Sequence, residues 1–504
     1  MAAARSHASS KIRGMGCHEA YQLAMHTLDM YRGTIVTCRY SLPAALSRPE
    51  ALATLKAKFC DALVRIVLDQ PHLQVGIIGE KTKNPAFVSL DRLDLQNHVQ
   101  WITLDDASHF RQRYFETIHT ELDAKYTNIS TQPGWRVVVL HKFGAELEVL
   151  YVWNHTHHDG SSGRLFHVHL LRYLNEMARQ DKEPIVDVQD DSSPWILDLP
   201  AMTANKLPPN PEILTSWPMS PGFAFRELWN EFKPAFLPRD THAHWAPIRA
   251  TPYKTRFLNF TLDTQLVSKV VAACRLHNTT LTGLLQSLVL ISLSSALPSA
   301  RGFASRTPYD LRHILPSHTK KYPHLDPKSS MCNYVSVVDS VFPPALVTAI
   351  RSHMPPSTTP QHLPAQLMDT VWSTAAAVRN AIKTRLASGM HNDIIAIMKL
   401  CPDWNAHQRG ELRRARFFSW LVTNLGVLGG EEGTEEGGWG LRRAELILSA
   451  ETPSAALSVS VVTVAKREMC VTCSWQEGVV EEGVGEQLMG DLERWMTDIG
   501  ASMA

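Results

Sequence analysis

The sequence lacks the features that would send it to several functional classes. It has no excess of charge of either sign: Lys+Arg is 50, Asp+Glu is 49 and the formal net charge is +1. No basic surface points to nucleic acid, and no acidic tail points to a basic partner. Cysteine is sparse, with eight in 504 residues at irregular positions 17, 38, 60, 274, 332, 401, 470 and 473. That usage reads as reduced thiols in a cytosolic setting. The lone CxxC, Cys470 and Cys473, lies in an alternating run where an offset of three puts the thiols on opposite faces. With no second CxxC, no zinc site is expected. Long hydrophobic runs are also missing. The most apolar stretch, Leu281 to Leu293, is broken by Thr282, Gln286, Ser287 and Ser292; it suits a buried helix better than a membrane span. Residues 1–14 are small and basic without an apolar run, so no secretory signal is expected. There is no GxxxxGK[ST], no GxGxxG after a strand, and Gly160-Ser161-Ser162-Gly163 is not a GxSxG nucleophile elbow.

What is present is ordinary globular composition, 44% apolar and 20% charged, enough for a sizeable core and for two or three domains or one large two-part unit. Periodicity predicts helices over 18–30 and 49–68, strands over 33–40 and 74–78, and a hairpin of 135–140 with 147–156. In the returning strand Leu150, Val152 and Asn154 share one face, and Tyr151 and Trp153 share the other with His155. A helix follows over 161–179. Residues 184–250 are crowded with proline, which reads as a crossover linker with short helical pieces. This divides the chain into an N-terminal half (1–183), the linker and a C-terminal half (251–504). The second half repeats strand and helix (256–262, 264–277), then shows an apolar helix from 280, strands at 301–305 and 333–342, helix over 364–400 and a strand over 417–422. A Gly/Glu-rich loop spans 429–440, followed by strands over 444–450, 457–464 and 469–475. The last twenty residues form an amphipathic helix. Leu488, Leu492, Trp495 and Ile499 face inward, with Glu486, Asp491, Glu493, Arg494 and Asp498 on the polar side.

The chemistry concentrates in Asn154–Gly163, NHTHHDGSSG. His155, Asp159 and Gly160 form His-x-x-x-Asp-Gly at a strand-to-helix junction. A neutral imidazole there can take a proton from a hydroxyl or amine. Asp-Gly makes a tight turn, and the carboxylate can cap the helix and support His155 from behind. Two rival readings exist. His155, His157 and His158, with His167 and His169, could bind a metal; no HExxH spacing or acidic ligand completes such a site, and none is expected. Alternatively, the histidines are satisfied loop residues.

HTHHDG in this setting resembles the active-site motif of the acyltransferase superfamily that contains chloramphenicol acetyltransferase, plant acyl-CoA acyltransferases and peptide-synthetase condensation domains. More narrowly, the chain resembles the fungal alcohol acetyltransferase family. The matching elements are Arg13-Gly14-x-Gly16-x-x-Glu19-x-Tyr21, QPHLQVGI (70–77), HTHHDG, TPYDLR (307–312), CNYVS (332–336) and TNLG (423–426). The resemblance implies an α/β (α+β) fold of two chloramphenicol-acetyltransferase-like halves, each a mixed sheet with flanking helices, meeting at a central active-site channel. It implies that His155 is the general base, Asp159 a structural acid in an ion pair with an arginine, and Gly160 the turn glycine. Arg312 and Arg39 are both open as that arginine. Thr423 and Asn424 stand where relatives place an oxyanion donor; their other reading is a strand-end cap. Condensation domains carry a second histidine where this chain has Asn154, and the plant DFGWG segment is absent. Both departures favour the fungal branch. The implied activity is acyl-CoA-dependent O-acylation, with acetyl-CoA as cosubstrate, no bound cofactor and a small-molecule alcohol or amine as acceptor. N-acylation, a carrier-protein donor and a non-catalytic binding protein are the alternatives. A cytoplasmic monomer without a transmembrane segment is expected, with association at internal membranes left open.

Overall fold

The structure, a computed structural model, describes residues 10–104, 107–142, 144, 146–180, 195–233, 242–354, 362–429 and 438–503. The opening segment before residue 10, stretches 184–194 and 234–241 of the Pro-rich crossover, and 430–437 of the Gly/Glu-rich loop lie outside the described residues.

The hairpin expected from alternation is the centre of the first sheet. Trp135–Lys142 pairs antiparallel with Glu146–Trp153, with Val137 opposite Tyr151 and Val139 opposite Val149. Tyr151 and Trp153 pack with Val137 and Val139 under the helices Leu52–Asp69 and Gly160–Gln180. Leu150 and Val152 face the other way, onto Tyr114, Ile118 and Leu122 of the helix Phe110–Asp123. Both faces are therefore covered, which accounts for the β-branched and aromatic content of these strands. The strand ends at Trp153, short of the expected Thr156, because Asn154 starts a turn.

Three more strands complete this five-stranded sheet, whose order is Gly440–Leu448, Thr34–Ser41, Glu146–Trp153, Trp135–Lys142, Val99–Leu104. Its edge strand Gly440–Leu448 comes from far along the chain and runs antiparallel to Thr34–Ser41. A second sheet of six strands has the order Thr255–Leu262, Met469–Gln476, Leu457–Val464, Trp420–Leu428, Phe303–Asp310, Val335–Phe342. The donated strand is tied to this sheet as well, through Thr472 Oγ1, which donates to the Leu446 carbonyl at 2.5 Å. Two small sheets, one of Lys11–Gly14, Ala86–Ser89 and Val75–Ile78 and one of Arg92–Asp94 with Ile196–Asp198, flank the first half. The result is the expected α/β architecture of mixed sheets with flanking helices.

The apolar run of the second half is the helix Leu281–Ala296, buried on every side from Gly283 to Ser294. Thr280 caps it, its Oγ1 accepting from the Gly283 N–H at 3.2 Å. It packs among Thr264–Leu276, Met368–Ala387 and the final helix Glu482–Ala501. Among the described residues no single helix is long and apolar enough to cross a membrane. In the final helix Leu488, Leu492, Trp495 and Ile499 are buried as expected. Asp491, assigned to the polar side, is buried too; Ser292 Oγ donates to it at 2.7 Å and Arg494 pairs with it. All eight cysteines are free.

Leu288 has no exposed surface and lies in the middle of this core. Leu288→Ala is expected to cost about 2–5 kcal/mol of stability, the usual range for a buried leucine cavity. Differential scanning calorimetry checks it; an unchanged melting temperature contradicts the packing described.

Candidate active site

Strand Glu146–Trp153 delivers the chain into the turn Asn154–Asp159, and the helix Gly160–Gln180 takes over. Asn154 organises this turn. Its Oδ1 accepts from the Thr156 N–H at 2.9 Å, its carbonyl accepts from His157 N–H at 3.0 Å, and its own N–H donates to the Gly134 carbonyl at 2.8 Å. Asp159 caps the helix: the Ser162 N–H donates to Oδ1 at 2.8 Å. Gly160 opens the helix beneath the strand Trp420–Leu428, where a Cβ would lie 2.9 Å from Leu425 Cδ2.

The Asp159 carboxylate is turned toward the second half. Arg312 holds it bidentately, Nη1 to Oδ2 at 2.7 Å and Nη2 to Oδ1 at 3.0 Å, and the Tyr334 N–H donates to Oδ2 at 2.8 Å. Both side chains are almost fully buried, 2% exposed for Arg312 and 4% for Asp159. The remaining Arg312 donors reach Asp310 Oδ1 at 3.1 Å and the Cys332 carbonyl at 2.9 Å. Burial alone would push the Asp159 carboxyl up; the Arg312 charge and bonds, with the N–H groups of Tyr334 and Ser162, outweigh it and hold it below the usual carboxylate range. The described hydrogen bonds of this carboxylate go to Arg312, Ser162 and Tyr334. The expected support of the His155 ring by Asp159 is therefore corrected: the carboxylate shapes the turn and acts on the imidazole through its charge.

Of the two arginines left open by the sequence, Arg312 makes the pair. Arg39 points elsewhere: its Nε donates to Glu148 Oε2 at 2.9 Å across neighbouring strands. Register decides this, since Arg39 stands opposite Glu148, five residues upstream of the end of that strand.

His155 is half-buried at the start of the turn. The ring lies against its own backbone carbonyl, and its Nδ1 is 3.5 Å from Asn333 Nδ2. In the neutral ring one nitrogen carries the proton and the other keeps a lone pair. Burial lowers the imidazole pKa, partly offset by the Asp159 charge and the carbonyl bond. Asn333 Nδ2 donates to the same His155 carbonyl at 2.6 Å. Rings of Tyr31 and His18 stand 5.7 and 6.4 Å away between centroids. Asn333 belongs to the CNYVS segment, but nothing in the spacing tied it to His155; the connection 311–334 between two strands of the second sheet carries Arg312, Asn333 and Tyr334 to the turn together.

Thr423 and Asn424 do not end a strand. They lie inside Trp420–Leu428, paired with Ser460 and Val461. Thr423 shares the face of Leu421, while Asn424 is exposed on the other face, its Nδ2 donating to Thr282 Oγ1 at 3.1 Å and its Oδ1 accepting from the Gly426 N–H at 2.7 Å. The remaining histidines do not converge on one point. His158 Nδ1 meets Tyr151 Oη at 2.9 Å, His167 lies between Tyr40 Oη and the Val36 carbonyl, and His169 is beside Gln70. Among the described residues, the group whose ligand atoms do lie within 4.8 Å of one another is Glu231, His407 and Glu411. There Arg414 already bridges the two carboxylates at 2.8 and 2.5 Å.

The family model described as alcohol acetyltransferase matches residues 14–342, from Gly14 through HTHHDG and Arg312 to the end of the strand after Asn333. The chain belongs to the alcohol acetyltransferase family. It is an acyltransferase. It is 28% identical to "Probable alcohol acetyltransferase FCK4" of Fusarium pseudograminearum, over 97% of this chain and 95% of that protein. It is 26% identical to "Probable alcohol acetyltransferase crmB" of Aspergillus fumigatus, over 92% and 95%. Among solved structures the fold is similar to TRI3 trichothecene 15-O-acetyltransferase from Fusarium sporotrichioides, with TM-score 0.68, 12% identity and coverage of 97% and 94% of the two chains. It is also similar to the first condensation domain of the calcium-dependent antibiotic synthetase, with TM-score 0.60, 12% identity and coverage of 98% and 97%. These two likenesses concern the fold.

Removing Arg312 leaves a buried carboxylate without its partner. Arg312→Ala is expected to lower stability by about 3–5 kcal/mol, read by chemical denaturation; a loss below about 1 kcal/mol contradicts the burial of this pair. A second expectation concerns acid. Burial lowers the pKa of His26, His98, His157 and His167 to about 4, and that of His72 and His158 well below the usual value. The unfolded chain takes up these protons near pH 6.5 and the folded protein does not. Stability is therefore present above pH 6.5 and lost as pH falls toward 4, by about 1.4 kcal/mol per histidine per pH unit. Denaturation midpoints at pH 7.5 and 5.5 test this, and equal midpoints would contradict it.

Proposed function

We propose that the chain transfers an acyl group, acetyl foremost, from acyl-CoA to the hydroxyl of a small-molecule alcohol, with His155 as general base. The observation that carries this reading is the half-buried imidazole of His155 at the strand-to-helix turn, a turn fixed by the buried Asp159–Arg312 pair and by Asn333 on the His155 carbonyl. In the reaction Nε2 takes the proton of the acceptor hydroxyl while that oxygen bonds to the thioester carbonyl carbon. The carbonyl oxygen becomes an oxyanion, which Thr423 stabilises as a hydrogen-bond donor. The C–S bond then breaks, and the departing thiolate receives the proton from the imidazolium. Ester and free thiol are the products. Neither a metal nor a covalent enzyme intermediate is required. Asp159 and Arg312 hold the turn that presents the base.

The test is thiol release from acetyl-CoA by the purified protein, against a panel of alcohols and amines. His155→Ala is expected to reduce acceptor-dependent release by roughly 10²–10⁴-fold. Release unaffected by that variant would sink the proposal. Because the base works only when neutral and burial lowers its pKa, kcat/KM is expected to fall as pH drops, with its midpoint below about 6.5. A midpoint above 7 contradicts the assignment.

A further inference from the structure

A cavity of about 470 Å³ lies away from the His155 turn, where the first sheet, the helix Phe110–Asp123 and the edge of the second sheet meet. Small-molecule sites commonly have this size. Arg39 and Arg443 line it from the first sheet, and Phe110, Arg111 and Phe115 from the helix. Asn259 of the strand Thr255–Leu262 and Glu493 of the final helix close the second-half side. Register places the cavity. Arg39 stands opposite Glu148, five residues before the strand ends at Trp153, which is roughly 17 Å at about 3.4 Å per residue. Ile35, Leu150, Val152, Phe257 and Ile447 fill that interval, each at most 6% exposed. A buried apolar cluster therefore separates the cavity from the catalytic turn.

Arg39 and Arg443 stand directly opposite each other on neighbouring strands, a like-charge pairing that costs stability unless an opposite charge lies between. A buried carboxylate anchors each of them. Glu148, 2% exposed, takes Arg39 Nε at 2.9 Å, and Glu445, 0% exposed, meets Arg443 Nη2 at 2.6 Å. Glu445 is held in turn by Tyr114 Oη at 3.0 Å and Asn259 Nδ2 at 2.6 Å. Glu146 and Glu468 lie further off, 4.0 Å from Arg39 Nε and 3.5 Å from Arg443 Nε, and both are more than a third exposed. These contacts leave donors unspent. Among the described residues no hydrogen bond engages Nη1 or Nη2 of Arg39, nor any N–H of Arg111. An arginine whose charge is balanced from behind still offers a directed fork of N–H groups. Lys142 adds a cation 5.2 Å from the centre of the Phe110 ring, and Arg111 lies 5.7 Å from that of Phe115. Both rings are partly exposed, and Glu493 is the exposed carboxylate of the lining.

We propose that this cavity binds a small organic anion with a flat ring. Its phosphate or carboxylate sits on the free guanidinium N–H groups of Arg39 and Arg111, beside Arg443, and its ring lies against Phe110 and Phe115. Arginine suits either anion, because its planar fork matches a pair of their oxygens. The ligand touches the first sheet, the strand that the second half donates to it, and Asn259 of the second sheet. Binding therefore ties the two halves together. The site is independent of the reading of His155 as the base.

Isothermal titration calorimetry of the full chain at low salt tests this, with phenyl phosphate and benzoate as probes. At least one should bind with a Kd of about 1 mM or tighter, and the tighter of the two tells phosphate from carboxylate. Phenol, the same ring without the charge, should bind about tenfold more weakly than the better probe. Two variants at exposed positions keep the fold and move the affinity in opposite directions. Arg111→Gln should weaken binding roughly tenfold, the loss of a hydrogen bond to a charged group. Glu493→Gln removes a repelling carboxylate and should tighten binding about two- to fivefold. An excess of acetyl-CoA should leave the probe in place. The proposal is overturned if neither anion binds, if Arg111→Gln keeps the parent affinity, or if Glu493→Gln weakens binding. Displacement of the probe by acetyl-CoA also overturns it, since the cavity would then belong to the acyl donor.

Discussion

The buried contact between Asp159 and Arg312 is the constraint on which the rest of the site depends. Taking both charges out of water is expensive, and a pair of this kind repays the cost only when every remaining donor and acceptor is engaged. Here they are. Arg312 also reaches Asp310 and the Cys332 carbonyl, and Asp159 also accepts from Ser162 and Tyr334. These partners come from both halves of the chain. The pair therefore works as a register pin: it sets where the 311–334 connection of the second half meets the helix start of the first. Asn333 then arrives at the His155 carbonyl as a consequence.

Much of this was legible beforehand, and the reasons differ by element. The strand Leu457–Val464 is legible to the residue because a β-branched and serine run, LSVSVVTV, stands between Pro453, Ser454 and Lys466. The apolar helix was recognisable because no solvent-facing side is needed when it is buried all round. By contrast, Phe110–Asp123 was missed: Arg111, Gln112, Arg113 and Glu116 dilute its apolar positions, and only a narrow stripe of it is covered. The strand Trp420–Leu428 extends past the predicted Val422 because pairing with Leu457–Val464 overrides the poor strand preference of Asn424 and Gly426. HTHHDG located the histidine of the turn, the turn glycine and the carboxylate that pairs with an arginine. It could not choose between Arg39 and Arg312, since that choice is made by strand register and not by any local pattern.

The Pro-rich segment illustrates how composition can mislead about role. Proline excludes long helices and central strands, and the described part holds only the helices Pro211–Leu214 and Pro221–Phe232 with one short strand. Yet its backbone and side chains brace the N-terminal motif: the Pro208 carbonyl takes Arg13, and Asn210 and Glu212 close on Gly16. A chain with fixed φ at several positions loses less entropy when it is held against a partner. Rigidity here makes a scaffold out of what reads as a tether.

The strand Gly440–Leu448 carries a consequence for how the polypeptide is made. Ser41 pairs with Gly440, 399 residues later. At roughly 5–20 residues per second on the ribosome, that separation is about 20–80 s of synthesis. Throughout that interval Thr34–Ser41 has an open hydrogen-bonding edge, the kind of surface that invites pairing with another chain. The first sheet cannot be finished until nearly nine-tenths of the polypeptide has emerged, so the nascent protein passes through a long vulnerable phase. Until Gly440–Leu448 arrives, that edge must be kept from pairing with other chains by something other than its final partner.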